Sequence, residues 1–324
     1  MLVLRALGLG DFLTGVPALR GLRASFPEHR LVLAAPSVLA DLALPAGLVD
    51  AVVDHRGLDP LPARLASPDV GVDLHGRGPG SQPLLVALRP GRLVAFHHPD
   101  IPATAGLPEW RAGEHEVLRW CRLLIESGIP ADPGALDLDV PDVPLPGWVD
   151  GATVVHPGAA SPARRWPAER FAAVARAQRA AGREVVVTGD PSESELAAAV
   201  AEAAGIPPDR VLAGRTGLRE LLAVVGRAGR LVAGDTGVAH VATAVRTPSV
   251  VLFGPVPPSE WGPPPERSWH RPLWAGHRGD PHGQAVDEGL LSIGVEEVLA
   301  ALESLPEAAE PVTDTATSNA SQSR

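Results

Sequence analysis

The chain has no lysine and no tyrosine, and it holds one cysteine and one methionine among 324 residues. Each absence closes a class of reading. Without lysine no Gly-Lys-Ser/Thr exists, so there is no P-loop. A lone Cys121 makes no disulfide within the chain and fits a reducing, cytoplasmic setting. It sits in the helical stretch Glu116-Val117-Leu118-Arg119-Trp120-Cys121 and reads as core filler rather than as a nucleophile. No apolar run reaches the ~18 residues of a membrane span, and no signal peptide is expected at the start. Peripheral contact with the inner face of a membrane stays open. Cations are outnumbered, 28 against 38 acidic residues, for a net charge of -10, so no nucleic-acid partner is expected. Every one of the 28 cations is arginine, and glycine (34) and proline (35) abound, which reads as codon bias in a GC-rich genome.

What is present is alternation. The apolar runs Leu2–Leu7, Arg30–Ala35, Ala51–Asp54, Val70–Leu74 and Leu93–Phe96 are strand-like, with helical patterns between several of them. A helix over about Glu114–Glu126 closes this half, and a Pro- and Asp-rich stretch from Ile129 to Trp148 reads as an interdomain linker. The rhythm then restarts with strands at Thr153–His156, Glu184–Thr188, Val211–Ala213, Leu231–Ala233 and Val250–Phe253. Helices begin near Pro167, Ser192, Gly217 and Gly237, Ser192-Glu193-Ser194-Glu195 reading as a capping box. After a long Trp/Pro/Gly loop comes a last helix, Val295–Leu302. The expected fold class is α/β, two Rossmann-like domains facing across a cleft. The expected divisions are 1–143, 144–285, a C-terminal helical segment 286–305, and a disordered tail 306–324.

The chemistry sits in the loops after the strands. Gly8-Leu9-Gly10-Asp11 follows the first strand and opens a helix with Thr14 and Pro17; it is no Rossmann fingerprint, because Leu13 stands where the third glycine belongs. The glycines allow close backbone approach and push out one carboxylate, Asp11, which taken by itself reads first as a plain N-cap of the helix. Gly234-Asp235-Thr236-Gly237 precedes a helix whose N-cap is Thr236, leaving main-chain N–H groups free for an anion within reach of His240. His156-Pro157-Gly158 leads to two guanidiniums, Arg164 and Arg165, suited to phosphate oxygens. Thr188-Gly189-Asp190 with Glu193 offers acceptors for a ribose. Three decoys are set aside: Asp137-Leu138-Asp139 as solvated linker charge, His97-His98 for want of neighbouring ligands, and Asp280-Pro281-His282-Gly283 as a turn.

Taken together these stretches resemble glycosyltransferase family 9, the heptosyltransferase-like enzymes. Leu4-Arg5-Ala6-Leu7-Gly8-Leu9-Gly10-Asp11 with Thr14 and Pro17 is similar to the family's opening motif, and His156-Pro157-Gly158 with Arg164-Arg165-Trp166-Pro167 to its central one. Gly234-Asp235-Thr236-Gly237 with His240, then Thr247-Pro248 and Leu252-Phe253-Gly254-Pro255, matches its most specific signature, so the likeness runs over about residues 1–303. The resemblance implies a GT-B fold, with acceptor binding in the first domain around Gly8, Gly10 and Thr14, and donor binding in the second. It implies Asp11 as catalytic base. It implies donor contacts from Arg164, where relatives often carry lysine, from Arg165 as a possible substitute, and from Thr188, Glu193 (or Glu195), Asp235, Thr236, Gly237 and His240. The expected partners are a nucleotide-sugar donor, an ADP-sugar such as ADP-heptose, and a glycan or glycolipid acceptor; no cofactor and no metal are expected. Arg164, Arg165, the helix terminus and His240 would take up the leaving group's charge. A GT-B-like sugar-nucleotide epimerase and a non-catalytic nucleotide-sugar-binding protein remain as alternatives.

Overall fold

Unbroken apolar runs suit strands covered on both faces, and Leu2-Val3-Leu4 is buried along its whole length. The computed structural model describes residues 1–306; the tail expectation falls, from residue 307 on, outside the described residues. Two five-stranded parallel sheets result. The first holds β1 (Leu2–Leu4), β2 (Val32–Ala35), β3 (Ala51–Asp54), β4 (Val70–Asp73) and β5 (Arg92–Val94) in the order β3-β2-β1-β4-β5, Leu2 standing level with Val32 and Gly71. Its helices are α1 (Leu9–Thr14), α2 (Val16–Ser25), α3 (Ala40–Ala43), α4 (Gln82–Ala87) and α5 (Glu116–Glu126).

The second sheet holds β6 (Thr153–His156), β7 (Val185–Val187), β8 (Arg230–Gly234), β9 (Ser249–Phe253) and β10 (His270–Trp274), ordered β10-β9-β8-β6-β7. Around it lie α6 (Ala168–Ala180), α7 (Ser194–Ala204), α8 (Leu218–Arg227), α9 (Gly237–Ala244), α10 (Pro258–Trp261), α11 (Glu288–Ser292) and α12 (Val295–Glu303). In each sheet the chain changes direction once, between β1 and β4 and between β6 and β8. Loops leaving the strands on either side of such a point open a crevice for ligand. The first crevice receives the loop carrying Asp11, the second the loops carrying Arg164 and Asp235.

Three local expectations are corrected. Val211–Ala213 is no strand: Val211 makes one bridge to Val187, between the turn Pro208–Arg210 and Gly214, whose φ is +68°. The supposed loop at 270–274 is instead the edge strand β10, where Pro272 is tolerated because an edge leaves one side of the ladder unpaired. The capping box is formed by Asp190 and Glu193, not by Ser192 and Glu195, because Pro191 starts a turn ahead of α7. Cys121 is buried against Val117 and Leu136, as expected of core filler, and burial pushes its thiol up to about 12.

One apolar cluster runs through both sheets, from Phe12, Val16 and Leu19 to Val224, Val238 and Val241. The linker is packed into it rather than solvated. Ile129, Leu136 and Leu138 are buried, and the Leu138 N–H donates to the Ala244 carbonyl at 2.8 Å. Asp137 pairs with Arg267 at 2.7 Å, which corrects its reading as a free linker charge. His115 ties the halves again: its Nδ1 accepts from the Val117 N–H to cap α5, so Nε2 carries the proton given to the Gly262 carbonyl at 2.9 Å.

A glycine inside α2 records how closely helix and linker approach. A Cβ on Gly21 would stand 2.5 Å from the Pro130 carbonyl oxygen and 3.1 Å from Ala131 Cβ. In an open helix, glycine to alanine adds about 1 kcal/mol of stability. Here Gly21→Ala should instead lose about 1–3 kcal/mol, because the backbone it meets has to shift. Urea unfolding followed by circular dichroism checks the sign; a gain in stability would mean that α2 and the linker part easily.

Candidate active site between the two sheets

The short β1 delivers the chain to Gly8, the N-cap of α1, and Asp11 falls in the first turn of that helix. Asp11 is half-buried. Burial raises its proton affinity; the Arg5 guanidinium opposes this, the Glu116 carboxylate adds to it, and main-chain hydrogen bonds at Gly8 and Asp11 lower it again. The net shift is upward, in the direction a general base requires.

Across from it, β8 ends in Gly234 and α9 starts at Gly237 with Thr236 as N-cap, as the sequence implied. The Thr236 side chain does not cap the helix; its Oγ1 is buried without a partner. Arg164 reaches the same spot from the loop after β6. Its Nη1 donates to the Asp235 carbonyl at 3.3 Å and lies 3.8 Å from Asp235 Oδ2, while its Nε is buried and unpaired. Burial pushes the Asp235 carboxyl up to about 6, with Arg164 pulling it down and Asp11 pushing it up, so the two carboxylates sense each other across the junction.

The junction is made by glycine. A Cβ on Gly237 would lie 3.2 Å from Leu9 Cβ and 3.3 Å from the Gly10 nitrogen, and one on Gly10 would lie 2.9 Å from the His240 ring. The structure thus brings Asp11, Arg164, Asp235, Thr236, Gly237 and His240 to one place, with Gly10 at the contact. His240 is held neutral, because burial pushes its imidazole down to about 4, and the nearby His115, Arg5 and Arg164 add to the shift. It offers a hydrogen bond there and not the positive charge the sequence reading gave it.

Arg165, Thr188 and Glu193 form a separate group at the ends of β6 and β7. Arg165 turns away from Arg164, its Nε donating to the Ala159 carbonyl at 2.8 Å. Thr188 is wholly buried, its hydroxyl 3.0 Å from His156 Nδ1. Glu193 accepts from the Asp190 N–H at 2.9 Å and stands 3.7 Å from His156 Nε2; burial raises its proton affinity. Its carboxyl occupies the space where a Cβ on Gly158 would be, 2.0 Å away, so a side chain there would displace the Glu193 carboxyl. Gly8 and Thr14 also serve as framework: Thr14 is buried and its hydroxyl donates to the Asp11 carbonyl at 2.9 Å. The residues that sequence reasoning passed over are Arg5, Glu116 and His156. The signal for Arg5 was an arginine inside an otherwise apolar strand run.

The three decoys stay apart from this junction. His97 Nδ1 lies 3.1 Å from the Thr104 carbonyl, and Asp280 closes a turn by accepting from the His282 N–H at 2.9 Å. That turn is fastened to the loop after β6, since the Gly283 carbonyl accepts from Ala163 and Ser161, both at 3.2 Å. No group of three or more His, Cys, Asp or Glu side chains among the described residues is arranged to hold a metal ion.

Comparison with known proteins agrees with this geometry. Lipopolysaccharide heptosyltransferase 3 of Escherichia coli K12 is 32% identical over 162 residues, which is 48% of this chain and 46% of that protein. Lipopolysaccharide heptosyltransferase 2 of Salmonella typhimurium is 30% identical over 169 residues, 50% of this chain and 47% of that one. The matched region thus spans about half the length of these curated relatives. Over the whole chain the fold is that of a family 9 glycosyl transferase from Veillonella parvula (TM-score 0.74, 22% identity, 93% of this chain and 95% of that one). It is equally that of E. coli ADP-heptose lps heptosyltransferase II (TM-score 0.73, 20% identity, 93% and 97% covered). The two facing Rossmann-like domains are therefore the GT-B arrangement that the resemblance implied. The sequence pattern of glycosyltransferase family 9 (heptosyltransferase) matches residues 111–273, half of the chain and including the β6 and β8 loops; the chain belongs to this family.

Proposed function

We propose that this chain is an inverting glycosyltransferase that moves a sugar from a nucleoside-diphosphate donor to a hydroxyl of a glycan or glycolipid acceptor. The observation that carries the reading is the pair of buried, unpaired polar atoms at the start of α9, Arg164 Nε and Thr236 Oγ1, opposite the Asp11 carboxylate. Orphaned polar atoms of this kind call for a partner, and a diphosphate supplies one at a helix N-terminus. An E. coli heptosyltransferase of the same fold is known with ADP bound, which favours an adenine nucleotide here. In the reaction the acceptor oxygen attacks the anomeric carbon, the bond from that carbon to the diphosphate oxygen breaks, and the acceptor proton passes to Asp11. Charge then grows on the diphosphate, where Arg164, the α9 amides and the neutral His240 donate to it. The first domain takes the acceptor and the second the donor, with Arg165 and Glu193 at the nucleoside end. None of the described helices is long and apolar enough to cross a membrane.

Asp11→Asn should keep donor affinity and lower turnover by about 10²–10⁴. Single-turnover kinetics beside calorimetric donor binding separates the two effects; turnover within a few-fold of the parent would return Asp11 to the role of a helix residue. Nucleoside diphosphate should be released only when acceptor is present, whereas an epimerase would turn its donor over alone.

The second expectation concerns charge neutralisation. With Arg164 and the α9 terminus as the groups that neutralise the diphosphate, transfer should survive exhaustive EDTA, while Arg164→Ala should weaken donor binding or slow turnover. Loss of transfer with EDTA, restored by magnesium or manganese, would sink this assignment of the phosphate site.

Protonation separates binding from chemistry. Asp235, raised to about 6, loses its negative charge as pH falls from 7.5 to 5.5, and the incoming diphosphate then meets less repulsion. Donor Kd should therefore tighten by roughly 3- to 20-fold over that range. Turnover should fall toward acid, and at a higher pH than for an ordinary carboxylate, because the Asp11 proton affinity is raised and a protonated Asp11 accepts no proton. In Asp235→Asn the change in Kd should vanish. A Kd that weakens with acid in the parent protein would show that the Asp235 charge helps the donor instead of opposing it.

A further inference from the structure

Arg5 is 1% exposed, the first residue after β1, in a run that is apolar on both sides. An unpaired guanidinium there would be strongly destabilising, and the structure gives it a full set of partners. Its Nε donates to the Asp11 carbonyl at 2.5 Å, one Nη to the Leu74 carbonyl, and the other to Thr14 Oγ1 at 3.0 Å and Glu116 Oε1 at 3.3 Å. Its plane lies over the Trp120 ring, 5.0 Å from the centroid. Glu116, the first residue of α5, is shared: Oε1 also accepts from Trp120 Nε1 at 2.7 Å, and Oε2 from Arg119. The fold makes room for this, because a Cβ on Gly15 would stand 2.9 Å from Arg5 Nε.

We propose that the buried Arg5–Glu116 pair is the positioning device for the transfer reaction: Arg5 fixes the main chain of Asp11 from below, and Glu116 anchors Arg5 and balances its charge beneath the Asp11 carboxylate. The inference rests on Asp11 being the base. Arg5 grips the Asp11 carbonyl and not the carboxylate, so the side chain stays free for the acceptor proton while its backbone does not move. The Thr14 hydroxyl closes the clip, accepting from Arg5 and donating to the same Asp11 carbonyl. The charged and titratable groups around Asp11 are Arg5 on the β1 side, Glu116 on α5, and Asp235 on the β8–α9 loop with Arg164 behind it; the neutral His240 comes from α9. Of these, Arg5 draws the proton affinity of Asp11 down and Glu116 pushes it up. Glu116 thereby keeps the base stronger than Arg5 alone would leave it.

Two variants separate positioning from mere support. Glu116→Gln retains an amide oxygen for Trp120 and Arg5 but removes the negative charge, and Arg119 keeps the Glu114 carbonyl at 2.7 Å. The acid limb of its kcat/KM profile should move to lower pH, at unchanged donor Kd. Arg5→Lys keeps the charge but loses the planar fork, so kcat should fall by roughly 10- to 100-fold with donor Kd within twofold of the parent. A residue that only supports the fold would lower Tm without moving the pH limb. Should either variant fail to fold, Thr14→Val, which removes only the clip hydroxyl, should reproduce the fall in kcat at unchanged Kd. A Glu116→Gln profile superimposable on the parent, together with kcat within twofold for Arg5→Lys or Thr14→Val, overturns the inference. Measured beside them, Asp11→Asn tells the two failures apart. If it loses turnover while the pair variants do not, only the positioning role is lost; if it keeps turnover, the base assignment falls and the positioning role with it.

Discussion

The first turns of α1 and α9 meet through glycine, with Gly10 under the His240 ring and Gly237 against Leu9 and the Gly10 nitrogen. A side chain at either position would push the two sheets' crevices apart. The contact matters because it fixes the spacing between the Asp11 carboxylate on one domain and the start of α9 on the other. Rates of transfer between two bound partners fall steeply with misplacement on the ångström scale, so a contact of bare backbone is a good ruler. It is backed by the apolar cluster that spans both domains and by the cross-domain bonds of Leu138, Arg267 and His115. Motion between the domains must break these, which favours one preferred arrangement over a loose hinge.

Such closeness leaves little water at the junction, and the titrating groups respond in a consistent direction. Asp11 and Asp235 are raised, and His240 is lowered to about 4, as expected where the charged form is penalised by burial. Without a ligand the junction holds two carboxyl groups facing one guanidinium, an arrangement short of positive charge. That imbalance disfavours free phosphate less than it seems from the carboxylates alone, because Asp235 has partly given up its charge near pH 6. Arg164 is then held by a carbonyl and a weakened carboxylate, and its Nε is left without a partner.

Much of this was legible in the sequence, and for physical reasons. Parallel strands buried on both faces leave unbroken apolar runs, so β1 to β9 and most helices between them could be read along the chain. The loops after β1, β6 and β8 announced themselves by glycine beside single charged residues. What escaped were features that depend on partners distant in sequence. β10 carries a proline and two aromatic-ring residues and becomes a strand only because β9 offers it an edge. Asp137 looked like solvated charge until Arg267, from the other domain, was placed beside it. The neutrality of His240 follows from its burial at the junction beside His115, Arg5 and Arg164, and nothing at positions 238–242 discloses that.

The absence of lysine, first read as a matter of genome composition, has a structural consequence in the interior. Arg5, Arg119 and Arg267 are buried, and each serves several acceptors at once: Arg5 two carbonyls, a hydroxyl and a carboxylate, and Arg267 the Thr243 and Gly134 carbonyls with Asp137. A guanidinium can do this because its five donors lie in one plane and it sheds water more readily than an ammonium. The same property governs Arg164. There one Nη holds the Asp235 carbonyl while Nε has no partner, so the group is anchored to the protein and still has a donor to offer. A lysine in its place would have to leave its protein partner to meet the ligand. The arginine therefore ties the β6 loop to the start of α9 more rigidly than its charge alone would suggest, matching the hold that Arg5 has on the Asp11 main chain across the junction.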